Sequence, residues 1–488
     1  MPQENEAHMK ANGPARSGGP STELLAEALT GLNGAPVEVH DLVRLTGGAS
    51  RETWSFTQVT EHESRPLILR RDPPGRPGAP GSMRLEAAVI SAAHQAGLAV
   101  PEVLLVDDGD VLGTAGLIME HVPGETRPRR ILGDDRFSDA RSVLTKQVAE
   151  FFAGLHAIDP NTVSGLAQPD PLEDFQAAYD LVGQRRPIFD WAFAWLRQNK
   201  PPTNPGAIVH GDFRTGNLLV DETGLRAAID WELVHIGDPL EDLSWLCVKA
   251  WRFREPAPVG GFGQLTELFE AYEEAGGQRI DPQAFNWWLV LNTLKWGVMC
   301  LTQAQAHLAG LVRSVELAAI GRRAAEQEWD LCELLAPELT EEISKGRNDE
   351  AARIQAEEPV KATHDDADSG EAAVDGGFFG RPTAEELLQA VGEFLTDSVM
   401  KSDVPSIAFH GRVAANLVAA LAREVAMGTE VAERYQRGLH QLGFKTHRQL
   451  SDHLRSGEAE LENRELMSVL AEAAFDRCLV VNPRHLLL

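Results

Sequence analysis

A chain of 488 residues exceeds one ordinary hydrophobic core and implies two to four units at roughly 100–200 residues each. Its 73 acidic against 45 basic side chains give a formal net charge of -28, which opposes nonspecific association with nucleic acid or an anionic membrane, so neither is expected as a partner; a local basic pocket for phosphates stays compatible with that total. With 43% hydrophobic and 24% charged residues, no apolar run near the roughly 18–20 residues of a membrane span, and four scattered cysteines without a CxxC pair, the chain reads as a soluble protein of a reducing cytoplasm.

Residues 1–22 read as a polar, disordered tail without a secretion signal, and Leu24, Leu25, Ala28 and Leu29 then mark a short amphipathic helix. Residues 37–60 alternate β-branched and aromatic side chains around the turn Thr46-Gly47-Gly48-Ala49-Ser50, and Leu67-Ile68-Leu69-Arg70 forms a further short strand. Leu85, Ala88, Val89 and Ala92 recur at helical spacing before two more strands, at 103–106 and 116–120. That order, strands, one helix, more strands, predicts a small mixed lobe over 23–122. From Val143 the periodicity is helical, with Leu144, Val148, Phe151, Phe152 and Leu155 on one face, and only 207–232 looks β-like within a mainly helical lobe over 123–339. Residues 340–377 are charged, small and nearly free of aromatics, the composition of a flexible linker. A helical domain follows over 378–488, opened by Thr383 and Glu386 at capping-box spacing.

The chemistry concentrates in His210-Gly211-Asp212-Phe213-Arg214-Thr215-Gly216-Asn217 and, thirteen residues after Asn217, Ile229-Asp230-Trp231-Glu232. Phosphoryl transfer calls for a carboxylate that takes the acceptor's proton, and for an amide oxygen and a second carboxylate to hold magnesium. Asp212, Asn217 and Asp230 supply these types in order. Here the chain resembles the aminoglycoside phosphotransferase and choline kinase group, the small-molecule branch of the protein-kinase-like fold, over roughly residues 37–335. The resemblance implies an α+β fold of two lobes plus a C-terminal all-α domain, with ATP and Mg2+ as cofactors, Asp212 as base, and Asn217 and Asp230 as metal ligands. The wording of Asp230-Trp231-Glu232 and Gly237-Asp238-Pro239-Leu240-Glu241-Asp242-Leu243 is most similar to kinase domains fused to, or encoded near, acyl-CoA dehydrogenases.

Further candidates follow from the same frame. Arg214 either neutralises charge on the transferred phosphate or pairs with a neighbouring carboxylate. Arg70 stands where protein kinases carry a lysine, a departure that keeps the cation but changes its shape, with Glu86 as partner; strand alternation sends Arg71 to the opposite face. Gly47, Gly48 and Ser50 would let backbone amides approach phosphates, and Glu120 and Val122 fall where a lobe-joining segment offers backbone groups to adenine. His210 reads as a brace for its loop. Asp238 and Asp242 read as helix caps that, by resemblance, also brace it. The tryptophans at 245, 251, 287, 288 and 296 read as core, with some able to line an acceptor pocket. The expected acceptor is a small hydroxylated molecule, a hydroxyacyl-CoA or other catabolic alcohol first and an aminoglycoside or macrolide second. A protein kinase is disfavoured by the lack of Asp-Phe-Gly and Ala-Pro-Glu, and a silent binding protein by the presence of all three of Asp212, Asn217 and Asp230. The C-terminal helices are expected to fold separately and to modulate or assemble the kinase, including as a homo-oligomer.

Overall fold

The computed structural model describes residues 19–487 except 46–50, 76–77, 80, 203, 205 and 357–383. The turn holding Gly47, Gly48 and Ser50, the capping residue Thr383 and most of the expected tail lie outside the described residues.

Ser21 begins the small lobe: its hydroxyl accepts the Leu24 amide and caps α1 (Thr22–Asn33), which Gly34 ends in the left-handed region at φ 68°. The sheet that follows contains β1 (Glu38–Arg44), β2 (Glu52–Val59) and β3 (Ser64–Arg71) before α2 (Ser82–Gln95), then β4 (Val103–Asp108) and β5 (Ala115–Glu120), in the antiparallel order β1-β2-β3-β5-β4. Alternation along β3 gives it two jobs. Leu67 and Leu69 join Phe56, Ile118 and α1's Leu25 and Leu29 in one apolar cluster, whereas Ile68 packs on the opposite face with Met83 and Ala87 of α2. Arg70 therefore faces α2. Arg71 points the other way, buried, with its Nε 3.0 Å from Glu52 Oε2.

Residues 121–127 lead into the large lobe, stapled there by reciprocal backbone bonds between Glu125 and Val220 at 2.8 and 3.1 Å. The lobe runs α3 (Pro128–Gly133), α4 (Ser138–His156), α5 (Pro171–Val182), α6 (Pro187–Gln198), β6 (Ala207–Val209), β7 (Leu218–Asp221), β8 (Gly224–Ala228), β9 (His235–Gly237), α7 (Pro239–Trp245), α8 (Leu265–Glu274), α9 (Pro282–Leu308), α10 (Val315–Arg322) and α11 (Ala324–Leu335). Its strands form two ladders, β6 with β9 and β7 with β8. The three-residue β9 escapes a sequence reading because so short a run has no measurable alternation. The long α9 is buried on nearly every side, Trp287, Trp288 and Trp296 included, and forms the lobe's axis.

One expectation about the C-terminal third is corrected. Residues 340–356 are no linker: they belong to α12 (Pro337–Ala356), which buries Thr340, Ile343 and Ala351. Most of its charged residues face outward, with Arg347 turned in to Asp476, so composition alone mistook a one-sided helix for a solvated segment. The last helices, α13 (Ala384–Phe394), α14 (Pro405–Gln441), α15 (His447–Arg455) and α16 (Arg464–Val481), form the expected C-terminal all-α region and pack against one another and against the large lobe. Their Leu439, Leu450, Leu470, Phe475 and Leu479 belong to the same cluster as Phe189, Trp191 and Trp329 of the large lobe. The seam is polar as well: Trp191 Nε1 donates to Leu461 O at 3.1 Å, Arg477 reaches Glu328 at 2.7 Å, Arg455 reaches Asp190 at 3.2 Å, and His485 in the terminal turn 483–487 reaches Asp330 at 2.6 Å. No helix among the described residues is long and apolar enough to cross a membrane.

Candidate active site

The central loop joins β6 to β7, and its shape is imposed from below. Gly211 sits at φ 78°, where a Cβ would lie 2.6 Å from Leu233 O, so only glycine fits. The fully buried Asp242, in the first turn of α7, accepts the amides of His210 and Gly211 at 2.7 and 2.9 Å. Burial opposes its charge, but hydrogen bonds from His156 and the loop prevail and hold its pKa below the ordinary value. Asp238 caps α7 through the Leu240 amide at 3.0 Å and also accepts Asn204 N at 2.9 Å.

His210 is a brace. Its Nδ1 accepts the Asp212 amide at 3.2 Å, which leaves Nε2 as the protonated nitrogen donating to Ile229 O at 3.1 Å. Burial pushes its pKa down, in keeping with a neutral ring. Both nitrogens are committed to backbone.

The Asp212 carboxylate is thereby presented, and three donors fix it: Trp245 Nε1 at 3.0 Å and Arg214 Nε at 3.2 Å on Oδ1, and Asn217 Nδ2 at 2.8 Å on Oδ2. Arg214 thus pairs with the carboxylate, its guanidinium 5.0 Å from the Trp251 ring centre. Asn217 spends its amide hydrogens on Asp212, by the second bond to the backbone oxygen at 2.8 Å, which leaves Oδ1 without a hydrogen bond among the described residues. The backbone bond from Ile229 N to Asn217 O, 3.0 Å, carries the β7–β8 ladder past its end and sets Asp230 beside Asn217. Asp230 itself adopts φ 70°, rare for a non-glycine residue and an instance of strain retained where surrounding structure enforces it.

Arg70 closes the cluster from the small lobe. It reaches Glu86 at 3.3 Å, Asp230 at 2.5 Å and Glu232 at 3.5 Å. Glu86, although buried, is shared with Arg51 of the β1–β2 connection. Burial works against the Asp230 charge, but Arg70 outweighs it and depresses the pKa. Among the sequence candidates, Asp212, Arg214, Asn217, Asp230, Arg70 and Glu86 therefore come together across the lobe boundary. Glu120 and Val122 stand apart: Glu120 ends β5, its amide bonded to Glu102 O at 2.9 Å, and Val122 lies in the joining segment, without a side-chain contact to the Asp212 cluster among the described residues.

Sequence reading missed a second layer. Lys295, in the middle of α9, donates to Gly211 O and to Glu241 Oε1, both at 3.1 Å, and Glu241 also bonds His235 at 3.1 Å. A lone lysine within Leu289-Val290-Leu291-Asn292-Thr293-Leu294-Lys295-Trp296 was the available signal, since a cation in so apolar a run must find a partner. Arg51 beside the glycine turn gave no such hint.

The family model described as a phosphotransferase enzyme family matches residues 41–288, and that of a domain of unknown function matches 404–485. Human acyl-CoA dehydrogenase family member 11 is 32% identical over 285 residues, 51% of this chain and 36% of that protein. Mouse acyl-CoA dehydrogenase family member 10 is 28% identical over 243 residues, 46% of this chain and 22% of that protein. The chain thus covers about a third or less of these curated relatives. A crystal structure of a putative aminoglycoside phosphotransferase from Ralstonia eutropha superposes with a TM-score of 0.51 at 22% identity, covering 62% of this chain and 95% of that one, which is a likeness of fold.

Proposed function

Because this chain belongs to the phosphotransferase enzyme family, we propose that it moves the terminal phosphoryl group of ATP to a hydroxyl of a small molecule. The observation that carries this reading is the Asp212 carboxylate, held by Trp245, Asn217 and Arg214 beside the Arg70–Asp230 pair. The acceptor oxygen bonds to the terminal phosphorus as the bond to the bridging oxygen of ADP breaks, and the hydroxyl proton passes to Asp212. Arg214 and Arg70 are the cations available to developing charge on the phosphates.

Magnesium suits Asn217 and Asp230. Among the described residues no three His, Cys, Asp or Glu side chains converge as a metal site, but one amide and one carboxylate oxygen are the kind of donors that magnesium takes in nucleotide sites, where phosphates and water complete its shell. When bound there it supplies charge neutralisation to the phosphate oxygens. Gly47, Gly48 and Ser50 remain proposed phosphate contacts, Glu86 a support for Arg70, and Glu120 and Val122 proposed backbone contacts to adenine.

For the acceptor, the matches to acyl-CoA dehydrogenase family members 10 and 11 favour a hydroxyacyl-CoA or related catabolic alcohol. The test is magnesium-dependent ATP turnover over a panel of hydroxyacyl-CoAs, simple alcohols and antibiotics. Asp212→Asn is expected to keep fold and nucleotide affinity while lowering turnover on the order of 100-fold or more. Near-wild-type turnover in a folded Asp212→Asn protein sinks the assignment.

A further inference from the structure

None of the three donors on Asp212 comes from the last helices, yet contacts run from those helices back to the catalytic loop. They end on the connection between α7 and α8, residues 246–264, which clasps the loop from outside. Gly260 O accepts the Thr215 hydroxyl at 2.8 Å. Trp251 is buried, packs on Trp245 with ring centres 5.3 Å apart, and lies 5.0 Å from the Arg214 guanidinium. Trp245 and Arg214 are two of the donors that fix Asp212, so a shift of Trp251 passes to the carboxylate through close-packed groups. Phe253 and Arg254 follow at positive φ, 51° and 81°, a strained course that needs an anchor outside the connection itself.

Two series of contacts supply that anchor. The first starts at His485 in the terminal turn, whose Nε2 meets Asp330 Oδ1 at 2.6 Å. Asp330 and Glu333, both on α11, hold the Lys249 ammonium at 3.7 and 2.8 Å, and Lys249 shares the short turn Lys249–Trp251 with the indole. Glu333 is fixed by Trp329 Nε1 at 3.0 Å, and Phe475 of α16 packs on that ring. The second starts at Asn482, whose Nδ2 donates to Glu326 Oε1 at 2.9 Å. Glu326 holds Arg323 at 3.1 Å, the Arg323 guanidinium lies 5.6 Å from the Trp296 ring centre, and Trp296 packs on Trp251 at 4.8 Å. His485, Asp330, Glu326 and Trp296 are all buried, where charges are little screened.

We propose that the C-terminal segment is a positioning element of the kinase: docked through His485 and Asn482, it sets Trp251, and through Trp251 the Asp212 carboxylate. His485, Asn482 and Lys249 thereby tune kcat without touching a substrate. Asp330 Oδ2 has no hydrogen bond among the described residues, so without His485 the carboxylate turns to Lys249 and draws the ammonium off Glu333, together with the turn that carries Trp251. The assignment rests on the kinase reading for its kinetics and on the contacts alone for its coupling.

The test compares the full chain with His485→Ala, Asn482→Ala and Lys249→Met, and with Arg455→Ala, which breaks a seam contact on neither series, the ion pair to buried Asp190. Turnover is taken per nucleotide site, counted by titration with a non-hydrolysable ATP analogue. It is expected to fall roughly 10-fold in His485→Ala and in Lys249→Met, and less in Asn482→Ala, with KM for ATP and for the acceptor held within about twofold. The His485→Ala, Lys249→Met double variant loses no more than the worse single one, because the two residues act in series. Arg455→Ala lowers the melting temperature and leaves turnover per site intact. In the chain labelled with fluorotryptophan, the fluorine resonances of Trp245 and Trp251, identified through Trp245→Phe and Trp251→Phe, shift in His485→Ala and Asn482→Ala but not in Arg455→Ala. Losses that follow the melting temperature alike in every variant, with both resonances unmoved, overturn the proposal. Asn482→Ala removes a single neutral donor and decides the matter where His485→Ala does not fold. Shifted resonances in a chain that turns over no acceptor uphold the coupling and remove the kinase reading instead.

Discussion

Asp242→Asn isolates the device that shapes the catalytic loop. The wild-type carboxylate accepts Gly211 N on Oδ1 at 2.9 Å and His210 N on Oδ2 at 2.7 Å, with His156 Nε2 3.4 Å from Oδ2, and is wholly buried. An asparagine fits the space but has one oxygen, so its NH2 must face one of the two amides, and a buried N–H is left without an acceptor. Losing one such charge-assisted bond costs about 2–3 kcal/mol. Against a typical stability of about 5–15 kcal/mol the variant stays folded, with a lowered urea midpoint. Its kcat is expected to fall roughly 10- to 100-fold, since misplacing a reacting group by about 1 Å costs on that order, while KM for ATP changes little. The depressed pKa of Asp242 sets the pH behaviour: its contribution is complete above the unfolded value of 3.8 and is lost as the pH falls through the lower folded value, so the stability gap between the two proteins closes only in acid. Unfolding curves from pH 7 downward and steady-state kinetics test this together. An asparagine variant with wild-type midpoint and wild-type kcat would refute the claim that Asp242 positions the loop.

Arg70→Ala should raise KM for ATP about 10-fold or more and slow turnover, with Arg70→Lys recovering only part; Arg71→Ala should leave KM alone and lower the melting temperature, because Arg71 pairs with Glu52 on the opposite face. The reverse pattern in kinetics and melting would mean that β3 is displaced by one residue. A chain ending at residue 377 should lose cooperative unfolding, because it strips Arg477, Arg455 and His485 from the buried Glu328, Asp190 and Asp330 and uncovers Trp329; wild-type melting of that truncation counts against the shared core. Burial opposes the His485 charge, but Asp330 prevails and raises its pKa, so its stabilisation is complete below the unfolded value of 6.5 and is lost as the pH rises through the higher folded value. Urea midpoints at about pH 6 and pH 9 should accordingly differ less in His485→Gln than in the wild type; an unchanged difference would remove His485 from the account.

Features that depend on neighbours along the chain were legible from the residues alone. Strand alternation around Leu67, Leu69 and Arg70 chose the inward cation, glycine and short apolar runs placed Asp212, Asn217 and Asp230 at strand ends, and helical periodicity found the large lobe. Tertiary structure decided the rest. Arg70 meets Asp230 across 160 positions, and Asp242 and Lys295 take hold of Gly211 from 31 and 84 positions away, separations over which no local pattern carries information. For the same reason the composition of 340–356 and the apolar faces of the last helices could not reveal their docking: a charged outer face and an unmatched inner face look alike in a sequence whether the partner is a separate domain, another copy or the large lobe. The contacts that dock them, Arg477 on Glu328 and His485 on Asp330, join residues 149 and 155 positions apart, with Phe475 packed on Trp329 between α16 and α11.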